Sequence, residues 1–519
     1  MNNRKILWVD DEIDHLKPHI MFLNEKGYEV ETVTNGSDAL DSIKESNYDI
    51  IFLDENMPGL SGMETLTEMK EIKPYTPVII ITKNEGEDLM EEAIGSKISD
   101  YLIKPVNPKQ ILLSIKKNLE DEKLVSEKTA TDYQKEFSEI GMKINEKLSI
   151  EEWKDLYKRL VNWNLKLDNS SQQGMKEAID MQWEEANHVF SGYVDQNYVD
   201  WINGNSNETP LMSHQLFSKE IVDKVENNEG PYFMILIDNL RYDQWKILEP
   251  LINEYFQVDE EGLYFSILPT ATHYARNSLF AGMLPTEIQK KFPEKWKSED
   301  DEGSKNEYEE DFLQAQLKLL GKDLKCSYHK ITSHENGKKL SAKFNNLLDN
   351  DLVVIVYNFV DMLSHARTEM EVIKELAEDE SAYRSITHSW FQHSPLHEIM
   401  KQISEHNAKC FLTTDHGTIR TSKPSKVVGD RNTNTNIRYK EGKSLKFDKK
   451  DVMDISDPDK IYLPKKNVSS RYIFAKSNKY FVYPNNYNYY VKFFKNTFQH
   501  GGISMEEMMI PYVSLLPRR

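Results

Sequence analysis

The chain has 519 residues and carries 65 Lys and Arg against 85 Asp and Glu, a formal net charge of -20 at pH 7. Phosphates repel such an acidic chain, so long nucleic acid is not expected as a partner. The longest apolar runs are strand-sized and fall short of the ~20 residues that a membrane span requires. Composition therefore argues against a histone-like protein and against a membrane protein.

The cysteine content and the N-terminal segment indicate the compartment. The chain has two cysteines, Cys326 and Cys410, too few for a disulfide framework, which favours a reducing environment. The segment MNNRKILWVDDE lacks the apolar core of a signal peptide. We therefore predict a cytoplasmic protein with no membrane association.

At roughly 100–200 residues per domain the length predicts about three domains, and the sequence changes character twice. We place the domains at 1–120, 121–225 and 226–519. In the first, five strand-length apolar runs alternate with segments of helical periodicity, which predicts a doubly wound parallel (βα)5 sheet. The predicted strands are Ile6–Val9, Glu29–Val33, Ile50–Leu53, Val78–Ile81 and Asp100–Ile103.

The second domain shows no strand signal, and its apolar residues recur at helical spacing. We expect one continuous helix from about Pro108 past Lys123. Ser149 and Glu152 form the pattern of a capping box. It opens a helix on which Trp153 and three further apolar residues share a face. A helical bundle is predicted, with core residues Trp153, Leu156, Leu160, Trp163, Met181, Trp183, Phe190 and Tyr193.

The third domain resumes the alternation of strands and helices. Three buried strands are predicted over Tyr232–Asp238, Leu352–Asn358 and Cys410–Asp415. The acidic stretch Glu294–Asp311 and the Lys-rich stretch Arg420–Lys466 have the composition of surface insertions. The third domain is therefore predicted to be a larger α/β domain.

Polar residues of the first domain follow the predicted strands at one edge of the sheet. Asp10 and Asp11 follow the first strand, and Asp54 ends the third. Thr82 ends the fourth strand, and Lys104 follows the fifth. Because the carboxyl ends of parallel strands meet at one edge, these groups converge. Three carboxylates in one pocket suit Mg²⁺, and a structural salt-bridge cluster is the alternative.

The motifs VDDE, LDENMPGLSG, IIIT and YLIKP resemble the receiver domain of two-component response regulators. The resemblance covers the whole first domain and implies that Asp54 accepts a phosphoryl group. It further implies that Lys104 pairs with that group and that Thr82 and Tyr101 form the switch pair. The implied Mg²⁺ ligands are Asp10 (through water), Asp11, Asp54 and the backbone carbonyl of Asn56.

Metal-type ligands follow the predicted strands of the third domain, and near the C-terminus His500 precedes two glycines. Nitrogen and oxygen donors of this kind suit a pair of Zn²⁺ ions, with Mn²⁺ as second choice. Thr272, in the run PTAT, is a candidate nucleophile that a metal ion would activate. Each motif alone is common: a DHG run is often only a turn. The candidate ligands are Asp238, Asp361, His365, Asp415, His416 and His500.

These motifs resemble the alkaline phosphatase superfamily, specifically its PglZ-type branch. The resemblance implies one zinc ion held by Asp238, Thr272, Asp415 and His416 and a second held by Asp361, His365 and His500. The spacing after Thr272 is most similar to nucleotide phosphodiesterases, which place an asparagine three positions later. Here Ala275 stands at that position, and we assign the contact with the substrate phosphoryl group to Arg276 or Asn277.

The order of the three domains resembles the family of response regulators that control type IX protein secretion. That resemblance implies a zinc phosphodiesterase acting on nucleotide-type diesters, dimerisation on phosphorylation, a sensor histidine kinase and an extracytoplasmic-function sigma factor as partners. The alternative is a phosphorylation-switched interaction protein, without enzymatic activity, that binds a sigma factor through a structural zinc domain. Thr272 distinguishes the two, because only an enzyme needs a hydroxyl at that position.

Overall fold

The computed structural model describes residues 4–73, 76–83, 98–168, 173–228, 230–298, 301–369, 379–430 and 433–518. It divides into two compact units, Met1–Asp132 and Tyr133–Arg519. Within the described ranges, no helix combines the length and the hydropathy that a membrane crossing requires.

The first unit contains a five-stranded sheet in the order β2-β1-β3-β4-β5, with every neighbouring pair parallel. The two strands β3 and β4 are buried along their whole length, as expected for a parallel sheet covered on both faces. The predicted doubly wound sheet is confirmed. Its strands are β1 (Arg4–Val9), β2 (Tyr28–Val33), β3 (Ile50–Asp54), β4 (Val78–Thr82) and β5 (Asp100–Ile103).

Two helices of this unit begin at side-chain caps that the sequence supplies. Asn35 accepts a hydrogen bond from the backbone of Asp38 at the start of α2, and Ser61 with Glu64 forms a capping box that opens α3. A helix expected between β4 and β5 falls on residues 84–97, outside the described residues. The helices are α1 (Lys17–Glu25), α2 (Gly36–Glu45), α3 (Gly62–Ile72) and α4 (Pro108–Ile144); α4 confirms the predicted continuous helix.

The second unit begins within α4, and two further long helices follow, α5 (Ile150–Asp168) and α6 (Gln173–Ile202). The predicted capping box is present, because Ser149 and Glu152 exchange hydrogen bonds, and Trp153 is buried on the predicted face. The prediction that Met181 belongs to the core is wrong, since its side chain is 72% exposed. The buried face of α6 runs instead through Ile179, Gln182, Ala186, Phe190 and Val194.

A six-stranded sheet in the order β7-β18-β10-β6-β9-β8 forms the centre of this unit. The four strands β10, β6, β9 and β8 are parallel, and β18 runs antiparallel between β10 and β7. The sheet strands are β6 (Tyr232–Ile237), β7 (Phe256–Phe265), β8 (Cys326–Ile331), β9 (Leu352–Tyr357), β10 (Lys409–Thr413) and, after seven shorter strands, β18 (Met509–Pro517). The shorter strands are β11 (Ile419–Arg420), β12 (Lys423–Lys426), β13 (Tyr439–Gly442), β14 (Val452–Ile455), β15 (Arg471–Ala475), β16 (Lys479–Val482) and β17 (Phe498–Gln499).

Short helices connect these strands and cover the sheet. In chain order they are α7 (Ser213–Leu216), α8 (Val222–Glu226), α9 (Tyr242–Ile252), α10 (Thr272–Ala281), α11 (Pro285–Lys291), α12 (Glu309–Leu319), α13 (His334–Ala342), α14 (Phe359–Glu369), α15 (Glu380–Gln392), α16 (Pro395–Glu405), α17 (Tyr487–Phe494) and α18 (Met505–Met508).

The stretch Arg420–Lys466, predicted to be a surface insertion, is part of the folded body. Its strands β13 and β14 pair with β15 in a three-stranded sheet. The side chain of Arg438 is fully buried and pairs with the equally buried Glu507. The prediction was wrong because it used amino-acid composition alone. A stretch rich in polar residues has the same composition whether its side chains are solvated or are buried and paired with one another.

Candidate functional site

The predicted phosphorylation site lies where the strands of the first sheet end. The Lys104 Nζ atom lies 2.9 Å from an oxygen of Asp54 and 2.9 Å from an oxygen of Asp10. Carboxylate oxygens of Asp10, Asp11 and Asp54 all lie within 4.8 Å of one another. The parallel topology therefore brings together the cation and the three carboxylates, as the strand ends predicted.

Electrostatics in this pocket follow from burial. Burial raises the pKa of Asp54, and the neighbouring Asp10 charge adds to the effect against the opposing Lys104. Burial disfavours the charge of Lys104, but hydrogen bonds to Asp54 and Asp10 outweigh it and raise the pKa of the ammonium. Lys104 therefore stays protonated in this pocket. An additional cation bound there would favour the ionised form of Asp54.

The other predicted residues lie around the pocket. Thr82 is buried at the end of β4, and its hydroxyl donates a hydrogen bond to Glu55, next to Asp54. Tyr101 is partly buried and packs against the hydrophobic core of the sheet. Asn56 is exposed, and its amide lies 3.5 Å from Glu55.

The candidate metal centre of the second unit is also built at strand ends. Asp238 directly follows β6, and Asp415 with His416 follows β10, its parallel neighbour. Donor atoms of these three residues lie within 4.8 Å of one another. All three side chains are buried.

Thr272 is the first residue of α10 and faces this first group. Its Oγ1 lies 2.9 Å from Nε2 of His416 and 3.4 Å from an oxygen of Asp238. The backbone N–H groups at the start of a helix favour an anion such as phosphate. The hydroxyl is thus placed between metal-type ligands and an anion-binding helix end.

The second group contains Asp361 and His365 on α14 and His500 after β17, again with donor atoms within 4.8 Å. His365 is 60% exposed and lies 3.5 Å from Asp361. The rings of His500 and His416 stack with centroids 4.3 Å apart. The two groups therefore adjoin each other, and His365 marks the side that is open to solvent.

His416 and His500 are oriented by backbone carbonyls. The Nδ1 atom of His416 lies 3.1 Å from the Gly417 carbonyl, and that of His500 lies 3.1 Å from the Thr270 carbonyl. A proton on Nδ1 satisfies each contact and leaves the lone pair on Nε2. Nε2 of His416 then faces the Thr272 hydroxyl at 2.9 Å, and Nε2 of His500 lies 3.7 Å from Asp361. This is the arrangement that a metal-binding histidine requires.

Burial favours the neutral form of most ligands. It lowers the pKa of His416, and together with the neighbouring His416 and His365 it lowers the pKa of His500 well below its usual value. Burial and the Asp238 charge raise the pKa of Asp361 to about 6 and raise the pKa of Asp415 well above its usual range. The imidazoles of His416 and His500 are thus held in their ligating form.

Glycines beside the ligands are required by close contacts. A Cβ atom on Gly417 would lie 1.9 Å from the Glu506 carbonyl oxygen. Gly501 has a φ of +117°, and a Cβ atom there would lie 2.6 Å from Tyr439. The DHG and HGG motifs therefore need glycine for packing and backbone geometry.

Arg276 contacts the carboxylates of the first group, which consists of Asp238, Asp415 and His416. Its Nη1 lies 2.8 Å from Asp238 and 3.9 Å from Asp415, and its Nε donates to Glu309 at 2.5 Å. The side chain is 1% exposed. The predicted contact with a substrate phosphoryl group stays a prediction for Arg276, whose guanidinium contacts carboxylates.

Asn277 is likewise engaged by the protein. Its Nδ2 donates to the Lys305 carbonyl, and its Oδ1 accepts a hydrogen bond from Asn306. Asn306 also donates to the Thr272 carbonyl at 3.0 Å. The assignment of Asn277 to the substrate therefore also stays a prediction, and Asn306 is a supporting residue that the sequence did not reveal.

Glu309 lies in the acidic stretch that was predicted to be a surface insertion, and its side chain is 1% exposed. Besides Arg276 it binds Tyr328 and Lys330. A signal was present, because Phe312, Leu313 and Leu317 follow Glu309 at helical spacing and place it on the buried face of α12. For this residue, the prediction of a surface location was wrong.

Thr270 is a second support that the sequence did not reveal. Its hydroxyl accepts a hydrogen bond from the Gly501 N–H and donates one to the Gly502 carbonyl, while its carbonyl contacts His500. Glu507, fully buried, accepts a hydrogen bond from the Gly502 N–H. These contacts fix the turn that carries His500.

The two groups of donors in the second unit fit two metal ions. Oδ2 of the buried Asp415 has no hydrogen-bond partner among the residues that the structure describes, a cost that a cation would remove. Each group offers a mixed set of carboxylate and imidazole donors, which suits Zn²⁺. In the first unit, three carboxylates and no imidazole suit Mg²⁺.

Fold and sites together define a response regulator whose second unit carries a phosphatase-like α/β domain. The family model of the BREX system PglZ alkaline phosphatase-like domain matches residues 216–515. Because this match spans more than half of the chain, the chain belongs to the PglZ alkaline phosphatase-like family. Models of the response regulator receiver domain and of the PorX response regulator linker domain match residues 6–116 and 123–202.

Curated relatives match about a quarter of the chain. The chain is 35% identical over 115 residues to the transcriptional regulatory protein ResD of Bacillus subtilis, covering 22% of this chain and 48% of ResD. It is 36% identical over 127 residues to the transcriptional regulatory protein ZraR of Klebsiella oxytoca, covering 24% of this chain and 28% of ZraR. The chain thus spans less than half the length of each of these relatives.

Solved structures of receiver domains match a similar share of the chain. A CheY-like receiver domain from Methanospirillum hungatei is 27% identical, covers 23% of this chain and 96% of its own, and gives a TM-score of 0.23. A receiver domain from Clostridium thermocellum is 33% identical, covers 23% of this chain and 98% of its own, and gives a TM-score of 0.22.

Proposed function

We propose that this chain is a two-component response regulator whose output domain is a zinc-dependent phosphodiesterase acting on nucleotide-type diesters. The observation that carries the proposal is the position of Thr272. Its hydroxyl lies 2.9 Å from His416, at a helix N-terminus, beside two adjoining groups of metal-type donors. A hydroxyl so placed is suited to attack phosphorus.

The ligand sets support two ions, with Mn²⁺ as the second choice of metal. Asp238, Asp415 and His416 with Thr272 would hold one ion, and Asp361, His365 and His500 would hold the other. Bound there, the ions supply positive charge that lowers the pKa of the Thr272 hydroxyl and stabilises charge developing on the phosphate. The chain itself fixes the donors through Thr270, Asn306 and the backbone carbonyls.

The reaction consists of two displacements at phosphorus. Thr272 Oγ1 forms a bond to phosphorus while the bond to the first alcohol breaks, and that alcohol leaves with the hydroxyl proton. Water then hydrolyses the threonine phosphodiester and releases the phosphomonoester and the free hydroxyl. The helix N-terminus binds the non-bridging oxygens in both steps.

The receiver supplies the control. Asp54 accepts a phosphoryl group from a sensor histidine kinase, and Lys104 pairs with the added charge. Asp10 (through water), Asp11, Asp54 and the Asn56 carbonyl would hold a Mg²⁺ ion, which would supply further positive charge there. Thr82 and Tyr101 respond to the new phosphoryl group, and the phosphorylated chain forms a homodimer. The resemblance of the three-domain order to response regulators of type IX protein secretion further implies a role in that secretion and a sigma factor as a partner. The match of residues 123–202 to the PorX response regulator linker domain is consistent with that order.

Turnover of a chromogenic bis-phosphodiester by the zinc-loaded full chain tests the enzyme, with a monoester as control substrate. Thr272→Ala should abolish cleavage of the diester, and Thr332→Ala, at an exposed position, should retain it. Removal of metal by a chelator should abolish cleavage reversibly. If the wild type with both ions bound, verified by elemental analysis, cleaves neither ester, the interaction protein without enzymatic activity is the correct alternative.

A further inference from the structure

The segment that leads to His500 differs in composition from the rest of the chain. From Lys460 to Met505 it contains eight Lys and Arg and no Asp or Glu, in a protein of net charge -20. Its helix α17 has the sequence YNYYVKFF. Aromatic side chains between lysines are the pattern with which proteins bind single-stranded nucleic acid.

One face of α17 is packed and the other is open. Tyr487, Val491 and Phe494 pack against the cluster formed by Ile437, Tyr480 and Val482. On the other face, Tyr489 is 62% exposed and Tyr490 is 39% exposed. Tyr489 stacks on Phe493 with ring centroids 6.0 Å apart. We call Tyr489, Tyr490 and Phe493 the aromatic platform.

Positive charge flanks the aromatic platform. Lys492 and Lys495 are both exposed, and among the described residues no carboxylate pairs with either of them. Lys423, in the Lys-rich stretch, is by contrast bound to Glu184. Two unpaired ammonium groups beside stacked rings complement the phosphates and the bases of a single strand.

Two short connections tie α17 to the candidate metal centre. Phe494 precedes His500 by six residues, and its carbonyl accepts a hydrogen bond from Thr421, which follows His416 by five residues. Six residues span at most ~20 Å when fully extended. Strands β11 and β17 pair between the two connections. The aromatic platform therefore lies within the length of a short oligonucleotide from the proposed reacting atoms.

We infer that the aromatic platform binds the bases of a single-stranded oligonucleotide whose scissile phosphodiester lies at the metal centre, with Lys492 and Lys495 contacting its backbone. The inference rests on the proposed function, because it assigns that site a substrate longer than two nucleotides. It implies a preference for flexible single strands, since paired bases are not free to stack on side chains.

Binding is measured apart from turnover in the full chain carrying Thr272→Ala. The probe is a fluorescein-labelled hexaribonucleotide, followed by anisotropy at low salt. Adding Tyr489→Ala and Tyr490→Ala should weaken binding at least about five-fold, because a stacked base is worth ~1–3 kcal/mol. Tyr489→Phe, which keeps the ring, should retain the affinity, as should Leu319→Ala, an exposed apolar control. Lys492→Glu should weaken binding and reduce its salt dependence.

Each outcome is decisive. The inference is overturned if the chain with the intact aromatic platform and the double alanine variant bind the hexaribonucleotide with equal affinity. This holds whatever the turnover of the chromogenic diester. If the double variant instead changes only the sedimentation mass, the surface is an interface with a second copy and the inference is wrong. Ring-dependent binding by a protein that cleaves no diester supports the platform and contradicts the proposed enzyme.

Discussion

The Nη1 atom of Arg276 lies 2.8 Å from Oδ2 of Asp238, and both side chains are 1% exposed. The guanidinium also binds Glu309, so one buried cation joins a candidate metal ligand to a carboxylate on α12. A buried charge is tolerated only when its partners are present. Arg276 therefore links the stability of the second unit to the position of Asp238 in the candidate metal centre.

Replacing this cation should be strongly destabilising. Arg276→Met leaves the buried Asp238 without its cation and Glu309 with only Tyr328 and Lys330. We therefore expect the free energy of unfolding to fall by about 3–5 kcal/mol. Urea denaturation with a chelator present measures the change. Arg471→Met is the matched control, because Arg471 makes a comparable two-point pair with Asp454 at 29% exposure of both side chains. That variant should lose about 1 kcal/mol or less, and equal losses in both would contradict a special role for Arg276.

The Thr270 hydroxyl should control metal affinity without being a ligand. Thr270→Val removes the hydrogen bonds to Gly501 and Gly502 that fix the His500 turn. Loss of such outer contacts weakens metal binding by roughly 10–100-fold. Competition with a chromophoric chelator measures this, and Thr270→Ser, which keeps the hydroxyl, should restore affinity. Unchanged zinc affinity in the valine variant would show that the turn is held by other contacts.

Phosphorylation should depend on the carboxylate that Lys104 contacts. With acetyl phosphate and Mg²⁺, intact-mass spectrometry should show one added phosphoryl group in the wild type and none in Asp54→Asn. Asp41→Asn, at an exposed helical aspartate, should be modified like the wild type. Sedimentation of the same samples tests dimerisation, which we expect only where the phosphoryl group is present. Modification of the Asp54→Asn variant would place the acceptor elsewhere.

The candidate site residues were largely predictable because most of them lie at strand ends. In a parallel sheet the end of a strand fixes both the edge and the neighbours of a residue. The sequence therefore predicted that Asp54 and Lys104 would meet, and likewise that Asp238 would meet Asp415. The predicted sheet of the first unit followed from the same alternation of apolar runs.

The supporting residues were not predictable from composition. Glu309 lies in an acidic stretch whose average is that of a solvated loop, yet its own helical register places it inside. Arg438 is a buried arginine that Glu507 satisfies, and the two are 69 residues apart. A long-range pair of this kind leaves no local signal, because each side chain alone is typical of a surface.

The stability of the second unit should fall as pH rises through a window set by Glu506. Burial raises the pKa of Glu506 from its ordinary value of 4.5 to about 7, although Asn187 donates hydrogen bonds to both carboxylate oxygens at 3.1 and 2.9 Å. The carboxylate lines a cavity of about 220 Å³ between α6 and the phosphatase-like α/β domain. The folded chain therefore retains a proton that the unfolded chain releases.

Between pH 4.5 and 7 the unfolded state ionises first, so the wild type loses up to about 3 kcal/mol across this window and no more above it. Glu506→Gln cannot titrate, so its stability relative to the wild type should rise by the same amount from pH 4.5 to 8. Urea denaturation in constant chelator measures both proteins, with Glu302→Gln as the control for loss of one exposed charge. The prediction is wrong if the difference in the free energy of unfolding between Glu506→Gln and the wild type stays constant with pH. Glu506 would then ionise alike in the folded and the unfolded chain, and Asn187 would bind a carboxylate that is already charged.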